Sequence, residues 1–176
     1  SEVQLFDFGG INELQFFLES ISTARRSVEL KAIGIIRDAE LDKSAAINSV
    51  KSALNHVNFP IPNQPLDIEF SGRPVVSYLI IPHDKPTGCL EDALLASITD
   101  QNLMTCVDGF VDCVDPDNQR SNSDRAKIAV HSLIAASTTP SMTLGESAKA
   151  GLWNLESDSL QIMLEFIRNL VKAVPS

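Results

Sequence analysis

The sequence has few of the features that mark secreted or membrane proteins. Only three of its 176 residues are cysteine, an odd number that fits a reducing compartment better than a disulfide framework. No apolar run approaches the roughly 20 residues that span a bilayer, and the first ten residues, SEVQLFDFGG, lack the pattern of a signal peptide. We therefore expect a cytoplasmic protein that does not contact membranes.

Basic charge is also scarce. Lys and Arg number 14 against 23 Asp and Glu, which gives a formal net charge of -9 at pH 7. Proteins that hold DNA or RNA by its phosphates normally carry clustered Lys and Arg, so tight nonspecific binding of nucleic acid is disfavoured. A bound metal ion would offset the acidic charge locally. Candidate partners are thus nucleic acid in transient, metal-mediated contact, a partner protein, or a second copy of the chain.

Several common binding motifs are absent. There is no Walker loop and no Rossmann glycine fingerprint, and Gly9-Gly10 falls short of both. His56 and His131 lack ligand spacing to any cysteine, so a zinc site is not expected. Cys106 and Cys113 lie seven residues apart on one predicted helix, and we expect both in the core.

The first half of the chain alternates between strand and helix patterns. Strands are predicted at residues 3–8, 28–36 and 75–81, with a short edge strand inside LDIEF (66–70). Such alternation predicts βαβ units and a parallel α/β sheet. Three parallel strands make a thin sheet for this length. We therefore expect that its first strand precedes this chain or comes from another chain.

The second half is predicted to be helical. Helical spacing occurs at residues 90–98, 102–114, 123–136, 145–151 and 158–173, and also at 43–57 between the second and third strands. The predicted organisation is an α/β core over residues 1–100, with a helical extension over 101–176 packed on the same domain.

Acidic residues follow the second predicted strand. Asp38, Glu40 and Asp42 alternate there, and residues i and i+2 of an extended segment point the same way. Ligands of open α/β sheets lie outside the carboxyl ends of the strands, and Mg²⁺ is typically held there by one or two carboxylates with waters and substrate phosphates. The alternative is structural: Asp42 or Ser44 caps the following helix, while the other acids are solvated near its positive end.

Acids also follow the strand at 75–81, because Glu91 and Asp92 lie in the first turn of the next predicted helix. Acids at this position stabilise a helix by roughly 0.3–1 kcal/mol each, which is a sufficient structural explanation. If both strand ends share one edge of the sheet, Asp38 and Glu40 converge with them. Such repulsion is usually tolerated only when a cation is present.

Two further patterns suggest chemistry. Cys89 precedes a predicted helix whose dipole lowers a thiol pKa, and His83 lies six residues upstream, so a Cys–His hydrolase is a rival hypothesis. No oxyanion signature accompanies it, and a partly buried small residue is the plainer explanation. Arg125 and Lys127 lie near the start of a predicted helix, either as ordinary solvated charges or as a cation for a phosphoryl group. Ser123 or Asp124 is expected to cap that helix.

The order of five segments resembles a known family. FDFGGINELQFFLE, AIGIIRDAE, YLIIPHDKPTGCLEDALL, DRAKIAVHSLIA and LGESAKAGLWNL are similar to an uncharacterised bacterial family of TOPRIM-like proteins. That family is related to the nuclease domains of the overcoming-lysogenization-defect (OLD) class. The resemblance covers nearly the whole chain, and it depends on the order and spacing of the segments rather than on any one of them.

The resemblance implies a TOPRIM-like fold and a phosphodiester-cleaving, nuclease-type activity that depends on Mg²⁺ or Mn²⁺. Asp38 matches the first acid of the Asp-x-Asp motif and Glu40 replaces the second. Glu91 and Asp92 match acids that OLD-type domains add to the metal site, and the late basic motif falls on Arg125 or Lys127. The implied metal ligands are Asp38, Glu40, Glu91 and Asp92, and the implied catalytic residues are Asp38, Glu40, Arg125 and Lys127.

The chain also departs from the TOPRIM pattern. TOPRIM domains begin with a strand ending in a glutamate that binds metal or transfers a proton, whereas this sequence starts at the equivalent of the second strand. The second hypothesis is therefore a non-catalytic interaction module with a TOPRIM-like fold. The acidic composition, the missing glutamate and the Asp-to-Glu exchange at position 40 all favour it.

Overall fold

The computed structural model describes residues 3–10, 13–24 and 30–174. In this part of the chain, seven helices and three strands form a mixed α/β structure. In chain order the elements are α1 (Glu13–Ala24), β1 (Ala32–Asp38), α2 (Lys43–His56), β2 (Ile68–Glu69), β3 (Val75–Ile81), α3 (Leu90–Leu95), α4 (Gln101–Val114), α5 (Asn122–Ala135), α6 (Leu144–Lys149) and α7 (Asp158–Ala173).

The sheet is built around β3, in the order β1-β3-β2. All seven β3 residues are buried, as expected for an apolar strand covered on both faces. The N–H of Val75 donates to the carbonyl of Lys31 (3.0 Å), and the N–H of Ala39 donates to that of Ile81 (2.7 Å). The start of β3 thus pairs with the start of β1, and the end of β3 pairs with the end of β1. This is the arrangement of parallel neighbouring strands. The short β2 pairs with β3 in the antiparallel sense.

These elements confirm the α/β class and most of the predicted elements. The strand at 75–81 and the helix at 158–173 have the predicted bounds, and the edge strand predicted within residues 66–70 is β2. The second strand continues to Asp38, two residues past its predicted end, while residues 28 and 29 of that prediction lie outside the described residues. A TOPRIM-like parallel sheet stays a prediction.

The strand predicted at residues 3–8 is wrong. That segment forms no strand, and Leu5 and Phe6 are exposed. The rings of Phe6 and Phe8 instead approach Phe17 of α1, with centroids 5.8 Å and 6.5 Å away. An alternating apolar pattern gives a strand only where a neighbouring strand can pair with its backbone N–H and carbonyl groups. Here the apolar side chains pack against a helix instead.

The expectation that Cys106 and Cys113 are core residues is also wrong, because both are exposed. On α4 the buried residues are Val107 and Val111, while Phe110 is 50% exposed. A spacing of seven residues places two side chains on the same helix face, but it does not say whether that face is buried.

The chain forms two compact units. Unit 1 comprises residues 1–37, 42–80 and 163–176, and unit 2 comprises residues 38–41 and 81–162. Both units include residues from either side of residue 100, where a boundary between an α/β core and a helical extension was predicted. That division of domains stays a prediction.

Unit 1 packs the last part of α7 against β1. A Cβ placed on Gly34 of β1 would lie 2.7 Å from Leu170 Cδ2 and 3.2 Å from Phe166 Cε1. The missing side chain at Gly34 therefore lets the helix approach the strand. Helices α1 and α2 also pack together in this unit, where Leu18 and Leu54 are buried.

Unit 2 is organised around α5, which packs against both α3 and α4. Ala129, Val130 and Leu133 give α5 its buried face. Near the end of this unit the indole N–H of the buried Trp153 donates to Ser147 Oγ at 2.8 Å. Among the helices within residues 13–24 and 30–174, none combines the length and apolar character that a bilayer crossing requires.

Replacing Gly34 by Val should destabilise unit 1, because the added carbons meet Phe166 and Leu170. Overpacking of this kind costs about 1–3 kcal/mol, which urea denaturation followed by circular dichroism measures. Leu170→Ala should remove part of the overlap, so the double variant should lose less free energy of unfolding than the sum of the single variants. Additive losses would contradict this packing.

Candidate functional site

The first acid of the candidate site is Asp38, the last residue of β1. Its carboxylate Oδ1 accepts a hydrogen bond from the backbone N–H of Leu90 at 2.9 Å. Leu90 is the first residue of α3. The end of β1 is therefore in direct contact, in unit 2, with the start of α3, the helix that follows β3 in the sequence.

The second acid, Glu40, has an unusual backbone. Its φ is 55°, in the left-handed region that residues other than glycine rarely adopt. Two hydrogen bonds hold it there: its N–H donates to the carbonyl of Gly88, and the N–H of Gly88 donates to its carbonyl, both at 2.8 Å. The Glu40 side chain is exposed, so its carboxylate is accessible from solvent.

The two acids of α3 differ in their surroundings. The Asp92 carboxylate Oδ2 accepts the N–H of Cys89 at 2.8 Å, so it caps the N-terminus of its own helix. This capping-box hydrogen bond gives Asp92 a structural role. Glu91 instead acts on Asp38, because its negative charge raises the pKa of that carboxyl.

Asp38 is the electrostatic centre of this cluster. Burial, followed by the negative charges of Glu91 and Glu40, raises its pKa from 3.8 to about 6, while the Leu90 N–H and the Lys127 ammonium oppose the rise. Two carboxylates and one ammonium group thus act on the Asp38 carboxyl in unit 2. Burial and like charges both disfavour the Asp38 anion, and a cation near it would be stabilised.

The acids do not form a ready-made metal cage. In the parts of the chain that the structure describes, no three His, Cys, Asp or Glu side chains stand close enough together to hold a metal ion. Of the four implied ligands, Glu40 and Glu91 each act on Asp38, and Asp92 accepts the N–H of Cys89 in a capping box. The chain can offer a hard cation one or two carboxylates, which is how Mg²⁺ is usually bound.

Asp42, the third of the alternating acids, has a structural role. It is the N-cap of α2, and its carboxylate accepts the N–H of Ser44 at 2.8 Å. This confirms the capping alternative for Asp42. The predicted cap of α5 is wrong, because Ser121 caps that helix rather than Ser123 or Asp124. Ser121 lies two residues before Ser123, in a loop rich in polar residues.

Arg125 is engaged away from the acidic cluster. Its guanidinium donates to the carboxylates of Asp112 and Asp115, which lie at and just after the end of α4. Asp115 is buried and also accepts the N–H groups of Gln119 and Arg120. Burial alone would raise the Asp115 pKa, but the hydrogen bonds from Arg125 and from these N–H groups lower it below its ordinary value. Arg125 thus stabilises the connection between α4 and α5.

Lys127, unlike Arg125, acts on the acidic cluster. It is exposed on α5, and its charge lowers the pKa of Asp38. The two residues are two positions apart, which separates them by about 200° around a helix. Only one of them can therefore face the acids, and that residue is Lys127.

The cysteine hypothesis finds no support in the surroundings of Cys89. The residue is fully buried. Burial and then the neighbouring Glu91 carboxylate raise the thiol pKa to about 12. The nucleophile in cysteine chemistry is the thiolate, and this thiol stays protonated at neutral pH. His83 is exposed in the preceding loop.

The sequence reasoning overlooked Gly88 and the backbone N–H of Leu90, which connect the two acidic segments. The signal for Gly88 was present, since Pro-Thr-Gly before a helix marks a turn that needs glycine. No sequence signal identifies the acceptor of an N–H that lies 52 residues away. Contacts of this kind depend on tertiary structure.

Comparison with known proteins gives one match. A family model described as "Protein of unknown function (DUF3226)" matches residues 1–172. No curated protein and no solved structure matches the chain.

Asp38→Asn should raise the free energy of unfolding at neutral pH by about 1 kcal/mol, once solvent screening is allowed for. The folded protein binds the Asp38 proton more tightly than the unfolded chain does. The stability due to that proton is complete below a pH of 3.8 and is lost as the pH rises through about 6. Asparagine keeps an acceptor for the Leu90 N–H without this dependence.

Urea denaturation at about pH 7.5 and about pH 4.5 measures this effect. The gain in Asp38→Asn should be present at the higher pH and shrink at the lower one. Asp84→Asn, a change at an exposed acid in the loop before α3, is the control. An equal effect of Asp38→Asn at both pH values would show that its carboxyl is not perturbed.

Arg125→Gln and Lys127→Gln remove the same charge two residues apart on α5, but they should differ in stability. Arg125→Gln leaves the buried Asp115 carboxylate without its cation, which is costly for a buried charge, so the melting temperature should fall. Lys127→Gln changes an exposed side chain and should leave the melting temperature nearly unchanged. Differential scanning calorimetry measures both, and similar losses would contradict the assigned roles.

Proposed function

The chain belongs to the DUF3226 family, and we propose that it is a Mg²⁺-dependent phosphodiester-cleaving protein of the TOPRIM-like nuclease type. One observation carries the proposal: the carboxyl of Asp38 at the end of β1 is crowded by Glu91 and Glu40, and Lys127 is the cation acting on it. An acidic strand end of this kind is where α/β proteins bind ligands. It also matches the acids that the TOPRIM resemblance implies.

The donor set suits a hard divalent cation. Carboxylate oxygens are the preferred ligands of Mg²⁺, which keeps several waters and is usually bound by one or two carboxylates plus phosphate oxygens. The described residues hold no group of three ligands, so phosphate oxygens of a bound substrate would complete the coordination. This accords with an acidic protein whose contact with nucleic acid is transient and metal-mediated.

The residues would divide the work as follows. Asp38 and Glu91 would hold Mg²⁺ or Mn²⁺, which when bound offsets the negative charge that develops on the phosphate oxygens. The exposed Glu40 carboxylate would accept a proton from the attacking water. The exposed ammonium of Lys127 would stabilise negative charge on the phosphoryl group. Arg125 is not assigned a catalytic role, because it is bound to Asp112 and Asp115.

The fold proposal follows from the same elements. A TOPRIM-like sheet needs parallel strands with acids at their carboxyl ends, and β1 and β3 are each followed by such acids. The cysteines are all free thiols, which supports a cytoplasmic location because structural disulfides are rare there. Asp92, implied by the resemblance as a ligand, is assigned to capping instead.

The alternative function is a non-catalytic, TOPRIM-like interaction module. It is favoured by the lack of three grouped metal ligands among the described residues. Its partner would be another protein or a second copy of the chain. The two functions differ in whether a divalent ion binds at Asp38 and whether phosphodiesters are then cleaved.

The wild-type chain should bind Mn²⁺ in isothermal titration calorimetry, and Asp38→Ala should abolish the binding because it removes the carboxylate that the other acids surround. Asp84→Ala is the matched control and should bind as wild type does. With Mg²⁺ or Mn²⁺ present, labelled DNA or RNA should be cleaved, and Lys127→Gln should slow cleavage about a hundredfold.

Each outcome has a distinct meaning. A wild-type chain that binds no Mn²⁺ would rule out the metal-dependent function. Binding that Asp38→Ala leaves unchanged would place the ion elsewhere. Binding at Asp38 without cleavage of any nucleic acid would favour the interaction module.

A further inference from the structure

We propose that Asp92 and Gly88 are positioning residues of the acidic strand end, which hold the backbone N–H of Leu90 where it orients the carboxyl of Asp38. The inference rests on the proposed function, since orienting Asp38 matters for a cation bound there. Asp92 would then act on Asp38 through the backbone of residues 89 and 90, rather than by the direct metal contact that the resemblance implies.

Three consecutive backbone N–H groups connect the end of β1 with the start of α3. The N–H of Gly88 donates to the carbonyl of Glu40 at 2.8 Å, and the N–H of Leu90 donates to Asp38 Oδ1 at 2.9 Å. Between them, the N–H of Cys89 donates to Asp92 Oδ2 at 2.8 Å. The outer two bonds reach Asp38 at the end of β1 and Glu40 just after it, while the middle bond reaches the first turn of α3. The segment 88–90 is therefore bound both to the end of β1 and to α3. The bond to Asp92 fixes the direction in which the N–H groups of Gly88 and Leu90 point.

Gly88 makes this arrangement possible sterically. Its φ is +128°, and a Cβ added there would lie 2.8 Å from Asp92 Oδ2 and 2.8 Å from Pro82 Cδ. Since the proline ring is rigid, an added Cβ would have to shift the backbone of residue 88 as well as the Asp92 carboxylate. Glycine at this position therefore lets the carboxylate reach the Cys89 N–H.

The same geometry distinguishes Asp92 from Glu91. One oxygen of Asp92 accepts both the N–H of Cys89 and its thiol, the latter at 3.4 Å. The charge of Glu91 raises the pKa of Asp38, whereas the Asp92 carboxylate accepts the backbone N–H next to the one that Asp38 accepts. Asp92 thus reaches Asp38 through the backbone of Cys89 and Leu90.

The test compares Asp92→Asn with Asp92→Ala by two measurements: Mn²⁺ affinity by calorimetry, and hydrogen exchange of the Leu90 amide by NMR in the metal-free protein. Asparagine keeps an acceptor for the Cys89 N–H but loses the charge, and alanine loses both. Asp92→Asn should match wild type in both measurements. Asp92→Ala should speed Leu90 exchange and weaken Mn²⁺ binding about tenfold or more, the usual effect of losing a group that orients a metal ligand.

Equal losses of Mn²⁺ affinity in the two variants would overturn the proposal and make Asp92 a ligand. An Asp92→Ala variant with wild-type exchange at Leu90 would overturn it as well. If the wild-type chain binds no Mn²⁺, the proposed function fails. The exchange of Leu90 then still decides whether Asp92 holds this N–H in place.

The steric role of Gly88 can be tested by comparing it with Gly151. Gly88 and Gly151 both have positive φ, but a Cβ on Gly151 would meet nothing within 4 Å. Both alanine variants should therefore be less stable than wild type, because alanine is strained at such φ values. Only Gly88→Ala should also speed exchange of the Leu90 amide in the folded protein. The same exchange rate in both variants would contradict the role of Gly88.

Discussion

The complete burial of β3 is the constraint on which the candidate site depends. A strand with no exposed residue must have its backbone hydrogen bonds taken by neighbouring strands, because an unpaired buried N–H or carbonyl is costly. At its end the carbonyl of Ile81 accepts the N–H of Ala39. That bond fixes where β1 ends, and so places Asp38 beside the loop that leads into α3. The position of the acids thus follows from the apolar strand.

Electrostatics explains why this arrangement suggests function rather than stability. Asp38 is partly buried and lies near two other acids, and both conditions disfavour its charged form. A residue selected only for stability would avoid this position, while sites of perturbed pKa are often functional. The contrast with Asp115 is informative. That carboxylate is also buried, yet it has a guanidinium and two N–H groups as partners, which fully explains its presence.

Periodicity predicted the helices and the central strands well, because burial of one helix face or of a whole strand leaves a direct mark on the sequence. It was wrong for residues 3–8 and for Cys106, where the outcome depends on which neighbour is available. It also could not choose between Arg125 and Lys127. Both lie near the start of one helix, and only the position of Asp115, just after the end of the preceding helix, determines that Arg125 turns away from the acids.

Capping and cation binding compete for the same oxygens, and this limits what the acidic cluster can do. One oxygen of Asp38 and one of Asp92 are already hydrogen-bonded to backbone N–H groups, so the negative charge available to a cation is less than four carboxylates imply. Affinity for a divalent ion alone should then be modest, and a phosphate that contributes ligands of its own would raise it. An acidic protein with one nearby lysine would thereby bind a phosphodiester only together with the ion. Under the proposed function, such coupling would give selectivity for the substrate–metal complex, because the acidic chain would repel the substrate alone and would hold the ion alone only weakly.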